Sequence, residues 1–193
     1  MSLGSVLLVA VLGSSAAFAA DGFQEGTNNA GRDEAVRPAY THVRSDNQYL
    51  IGLIRVGYDR SSAFRDLVET LERSNLIVFV QPGLCAGGRI RSCVIGIAGS
   101  AHDRHIRIRV DPQHTVENGL IATVAHELQH AVEVAENEDV VDRATLAAFY
   151  HRIAVGRCGQ GVSEECETNR ALNTERTVFQ QLQRGETSAN PKD

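Results

Sequence analysis

The chain has no tryptophan, and aromatic residues make up 5% of it. Tight protein interfaces lean on buried aromatic anchors, so a large adhesive recognition surface is not indicated. Cations are not in excess: 19 Lys and Arg stand against 24 Asp and Glu, a formal net charge of −5. That balance argues against general nucleic-acid binding, which needs a concentrated positive footprint. The densest basic stretch, Arg104 to Arg109, alternates with apolar residues and reads as the polar face of a strand. After the first twenty residues there is no second long apolar stretch, so no membrane partner is expected for the mature chain. Internal repeats and an interdomain linker are also missing. No cysteine pair has the C-x-x-C spacing of four-cysteine zinc sites.

What is present divides the chain into four parts. Residues 1–20 hold an apolar run, Val6 to Leu12, followed by small residues and an A-x-A pattern at Ala17-Phe18-Ala19. That reads as a secretory signal peptide, although no Lys or Arg precedes the apolar run. Residues 21–45 are rich in Gly, Asn and charge and predict an extended or disordered arm. Residues 46–185 are long enough for a single domain with its own core. Residues 186–193 predict a frayed tail. All four cysteines, Cys85, Cys93, Cys158 and Cys166, fall in the mature part, and an exported chain pairs them. Equal short spacings favour Cys85–Cys93 and Cys158–Cys166, each contributing about 2.5–3 kcal/mol through chain entropy. The expected location is therefore periplasmic or secreted.

Periodicity supplies the elements. Leu50, Leu53, Ile54 and Gly57 recur at helical spacing within 46–58, with Asp46 as a cap. Phe64, Leu67, Val68 and Leu71 do the same after a Ser61 or Ser62 cap. Strands are expected at Leu76–Val80, Val94–Ala98 and Arg104–Val110, the last with Ile106, Ile108 and Val110 on one face and His105, Arg107 and Arg109 on the other. Three helices follow, over about 115–136, 141–155 and 163–184. The fold class is α+β: a small antiparallel sheet of about three strands packed on about five helices.

Residues 126–130 read HELQH. On a helix, His126 and His130 share one face about 6 Å apart along the axis and can grip one zinc ion. Glu127 between them is suited to take a proton from water that the ion activates. Leu120, Ile121, Val124, Leu128, Ala131, Val132 and Ala135 fall in one arc, and the histidines point away from it. Small residues Gly119, Ala122 and Thr123 lie beside them. The pattern predicts a helix with one face on a core and the other on a cleft.

A tetrahedral zinc needs at least one more protein ligand. Glu133 is on the histidine face, but a straight helix carries it about 10 Å along the axis from His126, too far for a bond of about 2 Å. Glu133 and Glu136 also occupy the positions where a metzincin needs glycine and histidine. The remaining acids are Glu164, Glu165, Glu167 and Glu175 in the last expected helix, and periodicity does not choose among them. Glu167 is favoured because a Cys158–Cys166 bridge would pin its backbone; Glu175 and Glu164 stay open. Tyr150 and His151 are candidate oxyanion donors. They are better read as a packed tyrosine and an exposed histidine, and His102 and His105 read as surface residues. His42 and His114 have no assignable role.

The segments AHELQHAVEVAE (residues 125–136) and CETNRA (166–171) resemble the zincin-like metallopeptidases of gluzincin type, among exported bacterial proteins that pair a helical HELQH segment with a downstream E-T motif. The resemblance covers about a tenth of the chain. It implies a zincin-like fold, a Zn2+ site of His126, His130 and Glu167, and Glu127 as catalytic acid and base. It further implies a secreted zinc-dependent metallopeptidase acting on a peptide or protein substrate. The alternative is a non-enzymatic secreted binding domain on the same scaffold.

Overall fold

The computed structural model describes residues 40–88, 90–113, 116–156, 158 and 166–185. The expected leader, most of the expected arm, the tail, His114, Ser163, Glu164 and Glu165 lie outside the described residues. The elements are β1 (Val43–Arg44), α1 (Gln48–Arg60), α2 (Ser62–Glu72), β2 (Leu76–Pro82), a 3-10 turn (Ala86–Gly88), β3 (Ser92–Ser100), β4 (Asp103–Val110), α3 (Glu117–Ala135), α4 (Arg143–Ile153) and α5 (Asn169–Arg184).

Among the described residues the class is α+β with five helices, as the periodicity predicts. The sheet differs from expectation: it has four strands in the order β1-β2-β4-β3, and it is mixed. β1 and β2 pair in parallel, as do β2 and β4, whereas β3 and β4 form an antiparallel hairpin. The segment between β2 and β3 is long enough to pass over one strand position, which β4 then fills. An antiparallel meander assumes that consecutive strands are neighbours, and here one pair is not. The fourth strand comes from the end of the predicted arm, where Val43 is buried and registers with Val78.

Local signals set the helix ends. Asn47, not Asp46, caps α1 by accepting from the Leu50 amide, and Ser61 caps α2 by accepting from Phe64. Phe64, Leu67, Val68 and Leu71 are all buried. The last helix starts at Asn169 with Thr168 as its cap, six residues later than expected. At the β3–β4 turn, Gly99 has φ +140°, and a Cβ there would overlap the Asp103 carbonyl oxygen, so glycine alone fits.

α3 is the central element. Every residue from Leu120 to Val134 is buried. α5 covers much of it, and α1, α2 and the sheet pack around the rest. Its C-terminal end is held by Arg104, which shares the inner face of β4 with Ile106, Ile108 and Val110 and is fully buried. The guanidinium donates to the carbonyls of Val134 (3.0 Å), Ala135 (3.1 Å), Asn137 (2.8 Å) and Val140 (3.3 Å), and to Asn75 Oδ1 (2.7 Å). It thus satisfies carbonyls that a helix end leaves open and sets a positive charge against the negative end of the helix dipole. Arg104 belongs to the basic stretch expected on the polar face of the strand, and it is buried instead.

Replacing Arg104 by methionine keeps most of the volume but leaves these acceptors without donors. A loss of about 2–4 kcal/mol is expected in chemical denaturation. Stability unchanged within about 0.5 kcal/mol, the range of neutral surface substitutions, would remove Arg104 as the anchor of α3.

Candidate metal centre

His126 and His130 lie one turn apart on α3, with ring centroids 4.9 Å apart and an edge-to-face angle of 75°. Both are buried, at 6% and 5% exposure. The histidine face is therefore not solvated. α5 and the extended segment before it roof it over, leaving a small cavity of about 150 Å³ lined by Ser92, Thr123, His126, Glu127, Glu167 and Glu175 among others.

Glu167 belongs to that extended segment rather than to the helix. Cys166 beside it is bridged to Cys158, and the Glu167 carbonyl accepts from the Val155 amide at 2.7 Å. Glu167 Oε2 lies 3.1 Å from His126 Nε2. One ligand atom each of His126, His130 and Glu167 lies within 4.8 Å of the others, so the three could hold a metal ion. A tetrahedral zinc with bonds of about 2.0–2.1 Å sets its ligand atoms about 3.4 Å apart. The His126–Glu167 distance is close to that value, and the half-exposed Glu167 side chain has room to close the wider separations.

The other ring nitrogens are also engaged. His130 Nδ1 donates to Glu133 Oε2 at 3.0 Å, and Glu133 Oε1 accepts from Thr168 Oγ1 at 2.7 Å. His126 Nδ1 lies 3.2 Å from Glu175 Oε2, in ion-pair range but off the line of a hydrogen bond. Glu175 in turn pairs with Arg91 at 3.1 Å. A carboxylate on Nδ1 leaves Nε2 as the ligand atom and raises its basicity, the usual support for a metal-binding histidine. Two imidazoles and a carboxylate are a donor set that suits zinc.

Charge in the metal-free site follows from these contacts. Burial opposes the cation on His126, but the Glu167 and Glu175 carboxylates outweigh it and push its pKa up to about 10. Glu167 and Glu175 are held below the usual carboxylate range, chiefly by their close polar contacts with the His126 ring. Zinc entering the site would release the His126 proton. Glu127 behaves differently. Burial raises its carboxyl above the ordinary value, against the pull of His130, His126 and the Ser92 hydroxyl. Ser92 Oγ donates to Glu127 Oε1 at 2.6 Å, while Oε2 is buried without a hydrogen-bond partner among the described residues.

The structure thus brings together His126, Glu127, His130 and Glu167, the four residues that the sequence singles out. It puts Glu175 on the far nitrogen of His126, and Glu133 on His130 as a support rather than a ligand. Tyr150 is spent elsewhere: its hydroxyl donates to the His130 carbonyl at 3.1 Å, and burial raises its pKa well above the ordinary value. His151 and His102 are exposed, His105 stacks on Phe79, and His42 bonds to the Leu71 carbonyl. Ser92 and Thr168 carry no sequence signal for their roles. The Glu133 spacing to His130, three residues, was a usable one.

Both expected disulfides form, Cys85–Cys93 and Cys158–Cys166, which fits an oxidising environment outside the cytoplasm. Among the described residues no helix is long and apolar enough to cross a membrane. Comparison with protein-family models, curated proteins and solved structures finds no match for this chain.

The raised His126 pKa has a consequence for the metal-free protein. The unfolded imidazole titrates near 6.5, so the ion-pair stabilisation is complete below that pH and is lost as pH rises through about 10. Denaturation of metal-free protein is expected to show a decline on the order of a few kcal/mol between pH 6.5 and 10, and His126→Gln should flatten it. A wild-type profile that is level across this window would contradict the ion-pair arrangement.

Proposed function

We propose that this chain is an exported zinc-dependent peptidase of zincin-like, gluzincin type. The observation that carries the reading is Glu127: a buried carboxylate with one oxygen fixed by Ser92 and the other free, lining the cavity that His126 and Glu167 also line. A structural zinc site would have no use for a free base beside it. His126, His130 and Glu167 would hold the ion.

When bound, zinc would polarise the scissile carbonyl and acidify water at the site. Glu127 Oε2 takes the proton as the water oxygen attacks the carbonyl carbon. It then delivers that proton to the amide nitrogen as the C–N bond breaks. Burial suits Glu127 to this work, because a carboxylate with a raised pKa is a stronger base and a usable acid near neutrality.

The sheet order bears on substrate binding. β4 is paired on both sides, by β2 and β3, whereas β1 and β3 are the outer strands, and β3, which reaches Glu127 through Ser92, would be the one to pair with an extended peptide. It starts at Ser92, next to Glu127. A larger groove of about 470 Å³ adjoins the cavity through Arg91, Leu172 and Glu175, and Val116, Ala122 and Phe179 also line it. Its apolar walls suit a large apolar side chain of the substrate. A groove that shares lining residues with the cavity favours an enzyme over a binding domain. The candidate leader and the disulfides support export.

The purified, oxidised protein is expected to bind one equivalent of zinc and to hydrolyse an unstructured protein such as casein. Glu127→Gln should keep the zinc and lose activity by roughly 10²–10⁴-fold. Zinc binding with no hydrolysis by the wild type would point to the binding domain instead. Ser92→Ala removes a hydrogen bond that favours the ionised Glu127, so the acid limb of kcat/KM should move to higher pH. An unmoved limb would mean that Ser92 does not tune the base.

A further inference from the structure

The second histidine is supported by a route that starts in the segment carrying the third ligand. Thr168 directly follows Glu167. Its hydroxyl uses both of its hydrogen-bonding capacities: it accepts from the Ala171 amide at 3.1 Å, capping α5, and donates to Glu133 Oε1 at 2.7 Å. Glu133 Oε2 accepts from His130 Nδ1 at 3.0 Å. Thr168 and Glu133 are 3% and 2% exposed, so water does not compete for these bonds. From the other side the Tyr150 ring meets the His130 ring edge-on at 5.2 Å.

We infer that Thr168 and Glu133 are positioning residues that fix the ring orientation of His130 and tie it to the seating of Glu167. The inference rests on the zinc-site reading above and deepens it. Glu133 is an acceptor only, so the proton is on Nδ1 and Nε2 is left for the ion. The Thr168 proton occupies the second carboxylate oxygen and stops Glu133 from swinging away from the histidine. Two of the three ligands are therefore ordered by one stretch of chain. When residues 166–168 dock, Glu167 is delivered to the site and the His130 ring is locked in the same event. This explains why a glutamate three residues past the HExxH helix motif and a threonine next to the third ligand occur together in one chain.

The test is zinc affinity, read by competition with a chromophoric chelator and independent of hydrolysis. Thr168→Val, which removes the donor and the cap, and Glu133→Gln, which weakens the acceptor, are each expected to weaken zinc binding roughly 10–100-fold. Thr168→Ser keeps both bonds and should bind within a few-fold of wild type. The double variant should be little worse than the weaker-binding single one, since both act through one chain of bonds. Asn47→Ala, which removes the distant α1 cap, controls for lost stability and should leave affinity unchanged. Wild-type affinity in Thr168→Val, or equal losses in Thr168→Ser and Asn47→Ala, would overturn the link while leaving the zinc site standing. A wild-type chain that takes up no zinc would overturn both.

Discussion

Burial of the polar face of α3 is the constraint to which the rest of the molecule answers. His126, Glu127, Gln129, His130 and Glu133 lie on a helix buried on all sides. A buried polar group without a partner costs about 1–3 kcal/mol, so such a face is tolerable only where the surroundings supply partners. They come from several elements: Ser92 at the start of β3, Tyr150 on α4, Glu167 and Thr168 before α5, and Thr174 and Glu175 on it. The packing of α5 on α3 is thus both hydrophobic and a matter of polar pairing. His126 Nδ1, Glu127 Oε2 and Gln129 Nε2 are left without hydrogen-bond partners among the described residues, and Glu127 Oε2 is the one for which the proposed chemistry has a use.

The scaffold fixes this helix at its far end and its roof separately. Arg104 anchors the C-terminal carbonyls of α3 from the sheet, about one turn beyond His130. The Cys158–Cys166 bridge restrains the chain just before Glu167, and Cys85–Cys93 ties the loop that leads into β3 and Ser92. The two disulfides therefore restrain two of the segments that bring side chains to α3 from outside it. Loops that carry site residues are otherwise the least restrained parts of a domain.

Much of this was legible in the sequence, and the failures have physical reasons. The three HELQH residues were readable because a helix makes spacing equivalent to proximity. The disulfide pairs were readable because short loops close most readily. Parallel pairing of β2 with β4 was not, since strand order depends on how far a loop reaches and not on the strands themselves. Arg104 followed the period-2 pattern of Ile106 and Ile108, yet its charge suggested solvent; only the helix end above it makes burial tolerable. Helix rise sets Glu133 too far from His126 to read as a shared ligand, and its contact with His130 depends on the position of Thr168, which the sequence does not show. Glu167 was favoured for its neighbour Cys166, and it lies at the site even though the helix expected to carry it begins later.

Zinc K-edge X-ray absorption on the oxidised protein loaded with one equivalent of zinc tests the central claim most directly. The account predicts a shell of about four nitrogen and oxygen ligands at about 2.0–2.1 Å, with two imidazoles, that changes when Glu167 is replaced by alanine. Sulfur at about 2.3 Å, or a shell unaffected by that replacement, would contradict it.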